Sequence, residues 1–184
     1  MSALTVFKDN NPEAVELQIQ DHVKIAETLA ALGVRFEQWS TTDCVDGSST
    51  PEDVLAAYKS DIDRLSEEGG YQTADVISLT ADNPNKEELR KKFLDEHTHS
   101  EDEVRFFVRG DGLFYLHMED KVFVVFCEQG DLISVPANTT HWFDMGGKPN
   151  FTAIRIFTNP EGWVANFSGD PIASKFPNYE DLVN

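Results

Sequence analysis

The chain has 184 residues, of which 40% are hydrophobic and 13 are phenylalanine, enough to enclose a core and to exclude wholesale disorder. Its formal charge is −18, from 33 Asp plus Glu against 15 Lys plus Arg, with no basic stripe to offset it, so nucleic acid and anionic lipid are excluded over most of the surface. No run of about 18 apolar residues could span a membrane, and the stretch from Ser2 soon meets Lys8 and Asp9 rather than forming a signal peptide, so a soluble, cytoplasmic protein is expected.

In chain order, the first half is the more helical. After Asp21, residues Val23, Ile25, Ala26, Leu29 and Leu32 form one apolar stripe of a helix that Gly33 can stop. Val34 to Trp39 reads as a strand. Pro51 to Glu68 predicts a helix with Thr50 as its cap, Glu52 and Asp53 in its first turn and Gly69-Gly70 past its end. Its buried stripe is Val54, Ala57, Tyr58, Ile62 and Leu65. Val76 to Leu79 is a short strand, Asn83-Pro84-Asn85 a turn, and Lys86 to Phe93 a further helix. The run Arg90-Lys91-Lys92 within it reads as a solvated face, flanked by Glu87, Glu88, Asp95 and Glu96.

After Asp95 the texture changes. Short strands are predicted at 103–108, 113–118, 121–127, 132–135 and 151–157, with turn signals at Asp111-Gly112, Glu119-Asp120, Gln129-Gly130 and Met145-Gly146-Gly147. This spacing predicts an all-β core with peripheral helices, built as a small antiparallel barrel or jelly roll. One domain spanning 1–184 is expected, its more helical half (about 1–95) covering the barrel. Cys44 and Cys127 make no disulfide scaffold; Cys127, at the end of a β-branched and aromatic run, reads as a buried thiol.

His97, His99, Glu103 and Arg105 are separated by even numbers of residues, so an extended chain points all four to one face. With His141 they offer three imidazoles and one carboxylate, a donor set for a divalent transition metal. Around an octahedral ion, four such ligands leave two positions for a bidentate substrate. The bland alternatives are two solvated histidines in a polar loop, a surface-loop His141 and an exposed salt bridge for Arg105. If Arg105 does face inward it needs a partner, which an anionic substrate oxygen would supply. Phe107 follows on the same face, Phe143 shares parity with His141, and Phe93 and Trp163 are further wall candidates. Trp142 joins them if the turn breaks the register. His117 shares parity with Leu113 and Tyr115 and is either a substrate-facing group or a hydrogen-bonded wall residue.

These residues fall into two blocks that resemble those of the cupin superfamily. The first is His97-x-His99-x-x-x-Glu103, then six residues and Gly110; the second runs from Gly130 through Pro136 to His141. Asn138 stands where glycine is common and Met145 where asparagine is common, and Asn tolerates the left-handed backbone such a turn requires. The longer blocks HTHSEDEVRFFVRGDGLFYLH, DLISVPANTTHWFDMG and FTAIRIFTNPEGWVANF resemble the acireductone dioxygenase family of bacterial methionine salvage. VRFEQW, the 54–66 helix and YQTADVISL extend the resemblance into the helical half.

The resemblance implies a cupin double-stranded β-helix with His97, His99, Glu103 and His141 as ligands to one Fe(2+) or Ni(2+) per chain. It implies a monomer whose partners are a small-molecule acireductone, 1,2-dihydroxy-3-keto-5-methylthiopentene, and O2. Iron would yield 4-methylthio-2-oxobutanoate and formate; nickel would yield 3-methylthiopropanoate, formate and CO. On that reading Arg105 is the catalytic candidate that stabilises the substrate oxygens, and Phe93, Phe107, Phe143 and Trp163 enclose its alkyl end. The rivals are another cupin oxygenase, and a metal-stabilised cupin that binds a small molecule without turnover.

Overall fold

Alternation of side chains along each strand decides the architecture, because it gives most strands one face for a shared interior and one for a covering layer. The computed structural model describes residues 1–42, 44–159 and 164–183. The chain opens with a hairpin, β1 (Ala3–Lys8) and β2 (Asn11–Ile19), followed by α1 (His22–Ala30) and β3 (Arg35–Gln38). Next come α2 (Pro51–Ala57), α3 (Lys59–Gly69), β4 (Thr73–Thr80) and α4 (Lys86–Leu94). The rest is mostly strand: β5 (His97–Thr98), β6 (Glu103–Arg109), β7 (Gly112–Met118), β8 (Lys121–Cys127), β9 (Asp131–Val135), β10 (Thr140–Asp144), β11 (Asn150–Phe157) and β12 (Asn166–Phe167). A short 3-10 turn (Pro171–Lys175) and α5 (Tyr179–Leu182) finish the described chain.

The strands form a seven-stranded sheet in the order β12-β5-β10-β7-β8-β1-β2 and a five-stranded sheet in the order β3-β9-β6-β11-β4. Every pairing is antiparallel. Neither sheet closes on itself through backbone hydrogen bonds, so the expected barrel is realised as two antiparallel sheets with peripheral helices. Their common interior holds Leu4, Val6, Phe114, Leu116 and Val125 from one sheet and Phe36, Ile133, Phe107, Phe151 and Ala153 from the other. The alternate residues face outward. Val104, Phe106, Val108, Ile154 and Ile156 pack under α2 and α3, and Leu113, Tyr115, Val124 and Trp142 pack under the C-terminal segment with Ile172 and Phe176.

Three features depart from the sequence-based expectation. The single helix over 51–68 is broken: Tyr58 leaves helical geometry at φ −107 and ψ 16, and its buried ring lies edge-on to Phe106 at 4.9 Å. The hairpin β1–β2 is absent from the predicted strands: β2 is almost wholly exposed, Val15 and Leu17 included, and the strand that anchors the hairpin is supplied from far away through Leu4↔Val125. Residues 140–144, which lie outside the predicted strands, form a full strand paired with β7. The end of that strand is pinned by Asp144, which is fully buried and accepts from Arg90 Nε (2.7 Å), Arg90 Nη2 (2.9 Å) and the amides of Gly146 (3.0 Å) and Tyr179 (2.9 Å). Asp144 thereby ties α4 and α5 to the wall that carries His141.

Gly110 explains its own place in the first motif block. It turns β6 into β7 at φ +73, and a Cβ there would lie 2.0 Å from the Asn150 carbonyl oxygen. Gly70, at φ +72, has nothing within 4 Å of the same position. Gly70→Ala is therefore expected to cost about 1–2 kcal/mol, the left-handed penalty alone. Gly110→Ala is expected to cost clearly more, because backbone rather than a flexible side chain obstructs it. Urea unfolding of the two variants checks the ordering.

Candidate metal centre

The inward-facing residues of β6 read Glu103, Arg105, Phe107, and those of β10 read His141, Phe143; His97 begins at β5, hydrogen-bonded directly to β10 through His141↔His97. One sheet thus contributes the carboxylate and the other contributes two imidazoles, with His99 on the loop between β5 and β6. All four ligand candidates are buried, and their donor atoms lie within 4.8 Å of one another. Donors about 2.0–2.2 Å from a common ion are about 3 Å apart when adjacent and about 4.4 Å apart when opposite. The cluster is close to that spread.

The ring orientations are set by carbonyls. His97 Nδ1 donates to Asp95 O (2.7 Å), His99 Nδ1 to Val164 O (2.9 Å) and His141 Nδ1 to Thr139 O (2.8 Å). A carbonyl only accepts, so each Nδ1 carries a proton and each neutral ring turns an Nε2 lone pair elsewhere. For His141 and His99 those lone pairs face Glu103 Oε2, at 2.8 and 3.2 Å. With both rings neutral, acceptor would face acceptor, so the contact with the ionised carboxylate calls for positive charge between them: a proton on Nε2 when metal is absent, or a cation held by all three groups. The donor set fits a divalent metal on this ground.

Glu103 is held from its other side. Its Oε1 accepts from Arg105 Nη2 at 2.7 Å, and the Arg105 guanidinium lies over the rings of Phe143 (4.6 Å) and Phe114 (5.1 Å). Burial raises the Glu103 carboxyl, but Arg105 and the two histidines outweigh it and hold it well below the usual carboxylate range. Burial, with His141 adding to it, lowers His97 to about 4. His99 is depressed by burial yet raised overall by its contact with Glu103.

A cavity of about 160 Å3 opens above this cluster, lined also by Lys92, Phe93, Phe143, Arg155, Ala165 and Phe167. A larger groove of about 740 Å3 runs between α4 and the C-terminal turn, but among the described residues no set of convergent ligand donors lies in it. We assign the site to the smaller cavity on that chemistry. Phe93 and Phe143 stand edge to face at 6.3 Å, forming one wall. Phe107 lies behind that wall, 6.4 Å from Phe143, and does not itself line the cavity. Trp163 lies outside the described residues. Trp142 stays in register and faces the other way, stacked on Tyr115 at 5.0 Å. His117 also faces outward, contacting Glu96 Oε1 through Nδ1 at 2.8 Å.

The sequence reading missed the strap that closes the site. β12 pairs with β5 (Phe167↔His97), and Ser168 bonds Glu96 twice, through its amide to the carbonyl (3.0 Å) and through Oγ to Oε2 (2.6 Å). The strap brings Val164 O to His99 and Phe167 to within 5.8 Å of the His97 ring. Only the opposite parity of Glu96 to His97 hinted at this, since nothing local marks Ser168. Asn138 adopts φ +62, as its place in the motif implied, and its amide donates to His99 O at 2.7 Å.

The model of the ARD/ARD' family matches residues 3–165. The chain belongs to the ARD/ARD' family. An acireductone dioxygenase from Hahella chejuensis is 57% identical over 183 residues, covering 100% of this chain and 98% of its own length. One from Pseudomonas aeruginosa is 57% identical over 182 residues, covering 98% of this chain and 100% of its own. A solved structure described as acireductone dioxygenase from Bacillus anthracis with cadmium ion in active center superposes with a TM-score of 0.79 at 35% identity, covering 91% of this chain and 98% of that one. Membership in the ARD/ARD' family therefore rests on nearly the whole chain, the strap's first residues included.

Acid should expose the burial of His97 in this ARD/ARD' chain. Without metal, His97 titrates near 4 in the folded chain, against about 6.5 for an exposed imidazole. Between those values the unfolded chain binds more protons, so the contribution is full above about pH 6.5 and is lost as pH falls through 4. His99 is raised and acts oppositely, its contribution present below about pH 6.5 and lost as pH rises through its folded value. Urea unfolding of metal-free protein should show stability falling between pH 6.5 and 4 by up to about 1.4 kcal/mol per pH unit, and His97→Gln should flatten that slope.

Proposed function

We propose that this protein is a metal-dependent acireductone dioxygenase of methionine salvage, acting on 1,2-dihydroxy-3-keto-5-methylthiopentene and O2. The observation that carries the reading is the buried set of three carbonyl-oriented imidazoles and Glu103, in a chain whose full-length relatives bear that name. The two sheets are read as the cupin double-stranded β-helix, and the working unit as a cytoplasmic monomer with one ion. His97, His99 and His141 would hold it through Nε2 and Glu103 through Oε2. When bound, Fe(2+) or Ni(2+) supplies a positive centre for two substrate oxygens and the setting for their reaction with O2.

The protein's own part is position and charge. Arg105 sits beside Glu103 at the cavity base with a permanent charge, where it offsets negative charge on the enediolate oxygens. Glu103 and the faces of Phe143 and Phe114 hold the guanidinium still, so it need not reorganise as the reaction proceeds. Phe93 and Phe143 give the methylthioalkyl end an apolar surface and keep water from it, while Phe107 braces Phe143 from behind. Trp163 is assigned to that same wall on sequence grounds. Iron is assigned to formation of 4-methylthio-2-oxobutanoate and formate, and nickel to formation of 3-methylthiopropanoate, formate and CO.

The test follows the ultraviolet absorbance of the acireductone in air, with metal-free, iron-loaded and nickel-loaded protein against a blank. Faster decay only in the loaded samples is expected; no acceleration at confirmed occupancy rejects the reading in favour of another cupin substrate or a binding role. Arg105→Ala is expected to lower kcat by about 100-fold or more while metal is retained. Parallel loss of metal and turnover would make Arg105 a structural support instead. Glu103→Ala is expected to lose its metal on gel filtration, and unchanged occupancy would remove Glu103 from the ligand set.

A further inference from the structure

The charges lining the metal cavity are the reverse of those on the whole chain. Among the described lining residues Lys92, Arg105 and Arg155 face a single carboxylate, Glu103, in a protein of formal charge −18. Arg105 and Glu103 belong to the base of the site. Lys92 and Arg155 are not among the metal-ligand candidates, and the reaction scheme leaves them without a task.

Their placement is specific. Arg155 lies on β11 directly opposite Arg105 on one side and Asp75 on the other. Like charges opposite each other across antiparallel strands are destabilising. Asp75 counters this from the far side, accepting from Arg155 Nε at 2.8 Å and Nη2 at 2.6 Å, and the Phe157 ring lies 5.4 Å from the guanidinium. The guanidinium is thus fixed beside the cavity, on a side chain that stays 30% exposed. Lys92 ends the run Arg90-Lys91-Lys92 on α4. Arg90 is engaged with Asp144 and Glu180, and both Arg90 and Lys91 line the separate groove, whereas Lys92 is exposed and lines the metal cavity.

We propose that Lys92 and Arg155 form a cationic mouth that captures a small organic anion, orients it toward Arg105 and favours it over neutral analogues. The identity of that anion as the ionised acireductone rests on the function proposed above. An acidic protein repels an anion from most approaches, so a local reversal of sign at one opening concentrates encounters there. Focusing of this kind raises association rates by about 10- to 1000-fold and fades once the Debye length, about 8 Å at physiological ionic strength, shrinks further.

The experiment compares metal-loaded wild type, Lys92→Gln, Arg155→Gln and Asp75→Asn at low and high ionic strength. At low salt the Lys92 and Arg155 variants are expected to lose about three- to tenfold in kcat/KM, with the deficit shrinking at high salt. Asp75→Asn removes the opposing charge and one of the two acceptors on Arg155 while leaving the cation itself in place, so its kcat/KM should not fall and its salt dependence should steepen. A merely structural ion pair predicts instead that Arg155→Gln and Asp75→Asn fall together regardless of salt, and that result overturns the proposal. So does an unchanged kcat/KM in both cation variants. A parallel series measures oxalate binding to cobalt-loaded protein by visible absorbance, where weaker, less salt-sensitive binding is expected for the two cation variants. If wild type fails to consume the acireductone, the function reading falls, and the oxalate series still decides for or against the mouth.

Discussion

An ionised carboxylate inside an apolar sandwich is the constraint to which the rest of the centre answers. Unpaired, Glu103 would cost several kcal/mol to bury and would protonate instead. It stays ionised because Arg105 meets one oxygen while His99 and His141 meet the other. Arg105 is itself fully enclosed, and burial pulls its pKa down against the support of Glu103. The aromatic faces beside it complete its surroundings. Each member of this set is tolerable only with the others present, so the cluster behaves as one object in energy as well as in space.

That object is placed by the same alternation that builds the core. On β6, Val104, Phe106 and Val108 go to the helical layer while Glu103, Arg105 and Phe107 go between the sheets. A slip of one residue would export the charged pair and import Phe106. The pairings that prevent it are extensive on both sides of the strand, with β9 and β11. The turn glycine at 110 and the left-handed Asn138 define the ends of the strands involved, and Asn138 also reaches back to the backbone of His99. Fold stability and site geometry are therefore two readings of a single register.

Much of this was legible in the residues. Even spacing grouped His97, His99, Glu103 and Arg105, and they do converge with His141, although a loop over 99–102 replaces the continuous extended chain that the spacing assumed. Parity also sorted Phe143 from Trp142, although no strand is predicted from the sequence around His141. What stayed hidden depends on distant partners. β2 alternates Val15, Leu17 and Ile19 with Glu16 and Gln18 yet stays almost wholly exposed, and it is held by its pairing with β1. Helix continuity over 51–68 looked secure until tertiary contact with Phe106 turned Tyr58 out of it. Phe107 has the right parity for the cavity, yet Phe143 stands in front of it, a depth relation that spacing along one strand cannot express. The Ser168–Glu96 tie joins residues 72 positions apart and has no local signature.

The three carbonyls that orient the imidazoles differ in origin, and this has a consequence for how the molecule is made. Asp95 and Thr139 lie two residues before the histidines they hold, so His97 and His141 acquire their orientation from their own short segments. His99 takes its carbonyl from Val164, 65 residues further along the chain. During synthesis from the N-terminus, two of the rings can be turned correctly while the third still lacks its acceptor. Maturation of the centre thus waits until almost the whole polypeptide has emerged from the ribosome. Nascent chains caught before that moment would hold a loosened, incomplete donor set.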